Sequence, residues 1–378
     1  MAKDQSRNEL ESFLKNAKNR ISSTGKLCVV MGNEAADLDS MVSAVSYAWY
    51  KTETAKLADT ACVPLIPISR QDFKLRTEAV YLFHEAGIEE ASLIFTDDLN
   101  LHALHEKSAL SLILVDHNKL GKGFAEYGAD VVEILDHHQD ENLYPEVKYR
   151  VIEPVGSAST LVAEHILRDL KTKVDASIAL LLAGTILLDT VNLDPNAGRL
   201  TKKDAVAVAE LLPIARKSQS ELFDKLQYEK FNVANLSTSD ILRKDYKGYV
   251  AGEIRYGMSS VLLSLDAWKK KDSNLVAEFA SYARSMNLTL LIVMNAYTKP
   301  KFTRELALYS PDSALLKKVI AALAGTDLGL TPLAPPKGDD ADHYVWYAQA
   351  NEAYSRKKLQ PLVQNFLLGA ALDRKVDK

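Results

Sequence analysis

Short apolar runs recur through the first half of the chain, each separated from the next by enough residues for a helix, and this rhythm limits the fold more than any other feature. The runs cover residues 27–31, 63–68, 93–96, 111–115 and 131–135. Between them, residues 41–50 and 77–86 space their apolar positions with helical periodicity. Strands that alternate with helix-length segments are joined by crossovers and lie parallel in one sheet. The expectation is a doubly wound α/β domain over residues 1–220.

Further on the pattern changes. Residues 201–232 read as two helices that hand the chain over, through a connection at 221–234, to a second domain at 235–378. There residues 249–256, 261–265, 288–295 and 303–309 look like strands, with helices at 275–285 and 314–324, which makes a smaller α+β domain. The stretch 331–342, with three prolines and an acidic cluster, reads as a loop. A chain of 378 residues with 47% hydrophobic content is long enough to bury two such cores.

A net charge of −4 argues against a general nucleic-acid or membrane-surface binder, which needs a basic excess. Residues 1–23 are charged and carry no apolar stretch, so they read as an amphipathic helix and not as a targeting peptide. The longest apolar run, 178–188, falls short of the ~20 residues that span a bilayer. Cys28 and Cys62 match neither a disulfide framework nor a zinc spacing. The expectation is a cytoplasmic protein with no membrane and no nucleic-acid partner; the sequence sets no oligomeric state, and a monomer is compatible with it.

In open α/β sheets ligands bind beyond the carboxyl ends of the strands. The residues at those places here are acids, amides and imidazoles: Asn33, Asp37 and Asp39 after the first run, Asp116-His117-Asn118 after the fourth, and Asp136-His137-His138 after the fifth. Asp189 ends a further apolar segment. One aspartate in such a turn is ordinarily a helix cap or turn former. Several at one sheet edge repel each other, and divalent cations compensate most directly. Carboxylates with imidazole suit Mn²⁺, Mg²⁺ or Co²⁺.

The series Asn33-x-x-x-Asp37-x-Asp39, Asp116-His117-Asn118, Asp136-His137-His138 and Gly184-Thr185-x-x-x-Asp189-Thr190 resembles the four ordered motifs of the DHH phosphoesterase superfamily. Ser355-Arg356-Lys357-Lys358-Leu359-Gln360-Pro361 is similar to the basic signature of the DHHA2 domain, which occurs in family II inorganic pyrophosphatases, yeast-type exopolyphosphatases and prune proteins. The other superfamily branch, which acts on nucleic acids or cyclic dinucleotides, carries a glycine-rich C-terminal motif, and no two glycines are adjacent in this chain. The resemblance implies a DHH metal-binding catalytic domain followed by a DHHA2 substrate-binding domain, with the active site in the interdomain cleft. It places Asp37 on one of two metal ions, Asp39, His137 and Asp189 on the other, and Asp116 between them as a bridge. Asp136 then supports a histidine ring from behind. His138 faces the substrate, whose phosphates are gripped by Arg356, Lys357 and Lys358.

Asn33 departs from the pyrophosphatases, which have a metal-binding histidine there, and is at most a weak ligand. Exopolyphosphatases and prune proteins share the asparagine, but prune proteins typically carry arginine where His138 stands. Together these imply an exopolyphosphatase, in which two Mn²⁺ or Mg²⁺ ions activate the water that removes terminal phosphate from inorganic polyphosphate, tripolyphosphate included. The alternatives are a family II-like pyrophosphatase and a prune-like regulatory phosphoesterase acting through partner binding.

Most other candidates read as structural. Asp97 and Asp98 suit a turn or cap, His102 and His105 a surface helix, and His165 a satisfied buried histidine. Gly121-Lys122-Gly123 reads as a loop. The small residues after Pro154 open a helix whose free N–H groups favour phosphate or which Ser157 caps in the ordinary way, two readings that fit the sequence equally well.

Overall fold

The computed structural model describes residues 8–54, 60–298, 301–334 and 341–376. Its chain forms two compact units, residues 1–232 and 233–378. Among the described residues no helix is long and apolar enough to cross a membrane.

The first unit is built on a five-stranded sheet in the order β2-β1-β3-β4-β5, with every neighbouring pair parallel. Its strands are β1 Lys26–Met31, β2 Thr60–Leu65, β3 Leu110–Val115, β4 Val131–Asp136 and β5 Tyr149–Ile152. Alternate residues face opposite ways, so both sheet faces bury side chains. Val30, Ile113 and Leu135 pack under the helices Leu38–Thr54, Ala158–Asp169 and Ala176–Asp189. Val29, Leu112 and Ile134 fill the other face with Leu99, Leu101 and Tyr127. Each such side chain contributes about 1.5–3 kcal/mol of transfer free energy. Residues 221–231, expected in a connection, belong to the helix Gln219–Phe231, whose Leu222 and Leu226 are buried in this core.

Two expectations for this sheet need correction. Residues 93–96 form no strand: they run between 3₁₀ turns Glu90–Ser92 and Thr96–Asp98, with one bridge between Ile66 and Phe95. Leu93, Ile94 and Phe95 are apolar because they are buried, while the Asp98 carboxylate takes the Phe95 N–H into a capping turn (3.0 Å). The fifth strand is instead β5, four half-buried or exposed residues too short to show a period.

In the second unit a mixed six-stranded sheet runs β10-β11-β9-β8-β7-β6. It consists of β6 Tyr246–Ala251, β7 Ile254–Val261, β8 Leu290–Tyr297, β9 Thr303–Tyr309, β10 Leu330–Leu333 and β11 Tyr344–Gln349. Only β7 and β8 pair in parallel. The expected strand 249–256 is a hairpin, because Gly252 adopts a positive φ (60°) that lets the chain reverse between Ala251 and Ile254. Of the expected strand 261–265, Val261 ends β7 and residues 262–265 leave the sheet, since Ser264 caps the helix Leu265–Lys271 through the Ala267 N–H. The expected loop 331–342 contributes most of β10, whose Pro332 is tolerated because the strand lies at the sheet edge. Residues 335–340 of that loop lie outside the described residues.

Candidate metal centre

The carboxyl ends of β1, β3 and β4 converge on one cavity of about 550 Å³. Gly32 follows β1 and passes so near Ser40 that a Cβ would sit 2.8 Å from its Cβ and carbonyl oxygen, which brings the start of the Leu38–Thr54 helix against the strand end. Asp116 follows β3 with a positive φ of 62°, a conformation aspartate tolerates better than most residues. That turn aims its carboxylate inward. Oδ2 accepts from Asn33 Nδ2 and Ser40 Oγ, both at 2.7 Å. Oδ1 faces His137 Nε2 at 3.2 Å and His138 Nδ1 at 3.8 Å.

Asp136, the last residue of β4, is fully buried and organises both histidines. Its Oδ1 accepts from the His137 and His138 N–H groups at 2.8 and 3.2 Å and from His138 Nδ1 at 2.8 Å. Oδ2 accepts from Asn118. His137 Nδ1 lies 2.9 Å from the Val155 carbonyl, which can only accept, so Nδ1 carries a proton and Nε2 is the nitrogen turned to the cavity, where it becomes a ligand atom once a cation displaces its own proton. The corresponding contact with Asp136 leaves His138 Nε2 as its outward nitrogen.

Asp39 reaches across to the helix Ala158–Asp169. Its Oδ2 accepts from the Ala158 N–H (2.6 Å), and its Oδ1 from Ser159 N (2.8 Å), Ser159 Oγ (2.7 Å) and Ser43 Oγ (3.1 Å). Ser157, a candidate cap for that helix, makes no side-chain cap, because Asp39 already takes those amides. Oδ2 retains a second lone pair, 3.8 Å from His137 Nε2. Asp37 and Asp189 line the same cavity.

Burial, and after it the crowding of like charges, makes the carboxylates Asp37, Asp116 and Asp189 hold protons. Burial, then the Asp39 charge, pushes Asp116 up to about 7 despite its His137 contact. Asp189 is raised well above the carboxylate range by burial and by Asp39 and Asp37. Asp37 is raised by the protein packed around it and by Asp39, tempered by the Ser40 N–H that its carboxylate accepts. Burial alone would lower the His137 imidazole, but Asp116 and Asp39 outweigh it and push it up to about 10. The Asp136 hydrogen bond raises His138.

The donor set fits divalent cations. Asp116, His137 and His138 each offer a ligand atom within 4.8 Å of the others. Asp189 Oδ2 is buried with no hydrogen-bond partner among the described residues, a costly state that a cation would relieve. Asn33 presents its amide nitrogen to Asp116 while its Oδ1 accepts from Ala35 N, so in this orientation it holds a carboxylate and offers no ligand atom.

Family models match this chain over most of its length: the DHH family, N-terminal domain, over residues 27–186 and the DHHA2 domain over residues 224–366. Exopolyphosphatase PRUNE1 of Rattus norvegicus is 37% identical over 371 residues, covering 96% of this chain and 80% of that protein. The chain belongs to the DHH family, in its DHHA2-bearing branch. Exopolyphosphatase PRUNE1 of Homo sapiens is 35% identical over 365 residues, covering 95% of this chain and 79% of that protein. The manganese-dependent inorganic pyrophosphatase of Methanothrix thermoacetophila is 23% identical over 269 residues, covering 70% of this chain and 79% of that protein.

Within this DHH–DHHA2 chain, Arg356 begins the helix Arg356–Val376 of the second unit. Its guanidinium donates to the Asp245 carbonyl and carboxylate, both at 2.6 Å, while Lys357 and Lys358 are exposed. Sequence reasoning missed Ser40 and Asp204, and it named Asn118 within its motif without a role. Asp204 is fully buried and accepts from Gly156 N (3.0 Å), Thr160 Oγ1 (2.6 Å), Thr201 N and Thr201 Oγ1 (both 2.7 Å), tying down two segments of the cavity wall. Its signal was a buried acid three residues after a threonine at a helix start, a capping-box spacing. The residues set aside are engaged elsewhere. Asp97 accepts from Arg70 N, Asp98 pairs with Arg70, His105 with Asp130, and His165 bonds Tyr149 and Leu161.

Proposed function

We propose that the protein is a metal-dependent phosphoanhydride hydrolase, and within that class an exopolyphosphatase that removes terminal phosphate from inorganic polyphosphate. The observation that carries this reading is the convergence of Asp37, Asp39, Asp116 and Asp189 with His137 and His138 on one cavity of a DHH-family chain. The names of its relatives, exopolyphosphatase and inorganic pyrophosphatase, support the same chemistry. Asp37 is read as a ligand of one cation, Asp39, His137 and Asp189 as ligands of a second, and Asp116 as the bridge, with Mn²⁺ or Mg²⁺ as the ions and Co²⁺ as a further candidate. Divalent cations bound there supply charge neutralisation at the phosphoryl group and activate water at neutral pH.

The chain's own residues supply the rest. Asn33 and Ser40 pin one oxygen of Asp116, so its other oxygen keeps a set direction. Val155 holds the His137 tautomer. Asp136 orients His138 and favours its protonated form, which leaves Nε2 to hydrogen-bond or protonate the leaving phosphate oxygen. Arg356, Lys357 and Lys358 are read as cations for the substrate phosphates, Arg356 through the N–H groups that Asp245 does not use.

A substrate panel tests the reading. Phosphate release from pyrophosphate, tripolyphosphate and longer chains is measured with Mg²⁺ and with Mn²⁺, and tripolyphosphate is expected to turn over faster than pyrophosphate. The reverse order would make the protein a family II-like pyrophosphatase. Absence of turnover with every metal and substrate would favour the prune-like alternative of a site kept for partner binding.

A further inference from the structure

We infer that Arg199 is a substrate ligand: its guanidinium binds a phosphate of the polyphosphate from within the first unit. The inference rests on the hydrolase reading above and adds to it a residue that no motif points to. Among the described residues lining the cavity, Arg199 is the one lysine or arginine. The same cavity presents Asp37, Asp39, Asp116 and Asp189. An arginine in such company ordinarily pairs with a carboxylate. Arg199 is exposed, and its guanidinium makes no hydrogen bond or ion pair with any described residue.

The backbone below it is held. Thr201, two residues on, donates through both N–H and Oγ1 to the buried Asp204 (2.7 Å each), and Asp204 also takes Gly156 N on the neighbouring part of the wall. Arg199 is therefore a loose side chain on a fixed stem, which a ligand can order at the cost of its rotamer freedom alone.

Charge balance supplies the occupant. Four carboxylates cancel two divalent cations, so the loaded cavity has little net charge left to attract a substrate that carries several negative charges. A guanidinium offers two parallel N–H donors to one phosphate group and stays charged at any working pH. An unpaired arginine at this place answers that need, and a lysine would supply charge without the fork.

Arg199→Ala and Arg199→Lys, made in the full chain, test the assignment. For Arg199→Ala, kcat/KM for tripolyphosphate is expected to fall by about tenfold or more, and Arg199→Lys to recover only part of that loss. Binding of an imido-bridged triphosphate analogue, measured by calorimetry with Mg²⁺ present, is expected to weaken by a similar factor. Mn²⁺ affinity without substrate should stay unchanged. Wild-type analogue binding and kinetics in Arg199→Ala would overturn this inference and leave the hydrolase reading intact, and so would a loss explained by weaker Mn²⁺ binding. A parent protein that neither hydrolyses tripolyphosphate nor binds the analogue would overturn both.

Discussion

The carboxyl edge of the first sheet and the start of the Arg356–Val376 helix both gather charge, and they are built in opposite ways. At the sheet edge, Asp116 and Asp136 are buried, tied by several hydrogen bonds each, and Asp116 sits on a left-handed backbone. At the helix start, Lys357 and Lys358 are exposed, and among the described residues Arg356 is held by Asp245 alone. Burying charge is expensive unless something neutralises it, so the first arrangement has to be completed by protons or cations. Surface cations cost the fold little and are free to be rearranged around a ligand. The difference separates residues that burial forces to be neutralised from residues left free on the surface, which is the division of labour that the proposed function assigns to them.

The largest test of that contrast is at the sheet edge. Asp116→Asn keeps the shape but removes the side chain's negative charge and one of its two acceptor oxygens, and turnover is expected to fall by about 10³-fold or more with the circular dichroism spectrum unchanged. Near-normal turnover, or activity that survives a chelator, would dissolve the contrast.

At the helix start, smaller losses are expected. Arg356→Lys should lower kcat/KM for tripolyphosphate by about ten- to a hundredfold, equivalent to ~1.4 to 2.7 kcal/mol, with metal affinity unaltered. Asp245→Ala is the control, since it frees Arg356 without removing it. Should it reproduce the Arg356→Lys kinetics, Arg356 acts by tethering Asp245 and not by binding phosphate.

Asn33→His sharpens the sheet-edge side by exchanging the amide that donates to Asp116 for a nitrogen ligand. Mn²⁺ and Co²⁺ are expected to bind several-fold tighter, and the ratio of pyrophosphate to tripolyphosphate hydrolysis to rise. Metal titrations identical to the parent's would separate position 33 from the ions.

The smallest effect is on stability. Asp116 moves from 3.8 up to about 7 in the folded state and His137 from 6.5 up to about 10, so the folded protein holds more protons than the unfolded chain across this range. Stability of the metal-free protein therefore falls as pH rises, first through the Asp116 window from about 4 to 7 and then through the His137 window from about 6.5 to 10. Thermal melts in chelator should show Tm declining by a few degrees between pH 6 and 9, and saturating Mn²⁺ should flatten the slope. A Tm that rises with pH in chelator would mean that these acids do not share the crowded edge.

Much of the fold was legible because period and residue type are local properties. β1, β3 and β4 are continuous apolar runs ending in Asp, Asn or His, and they lie where the runs predict. Residues 93–96 misled because burial and strand pairing both select apolar side chains, and only the backbone hydrogen bonds tell them apart. The hairpin at Gly252 was hidden because β6 and β7 are joined by so short a turn that they read as one run. In the site, the acids and histidines of the motifs were readable as residues, while Ser40, Asp204 and the role of Asn118 were not, since serine, asparagine and aspartate at such places also serve as ordinary caps.

By itself the sequence determined the places of β1, β3 and β4, the chemical character of the turns that follow them and the membership of the family, all of which depend on residue type and spacing. Only the tertiary structure decided that Asp39 takes the amide of Ala158, 119 residues away, that Asp136 holds His138 and not the ring of His137, and that Arg199 stands among carboxylates with no partner among the described residues. Such contacts join residues remote in sequence, and the packing of strands and helices sets their distances.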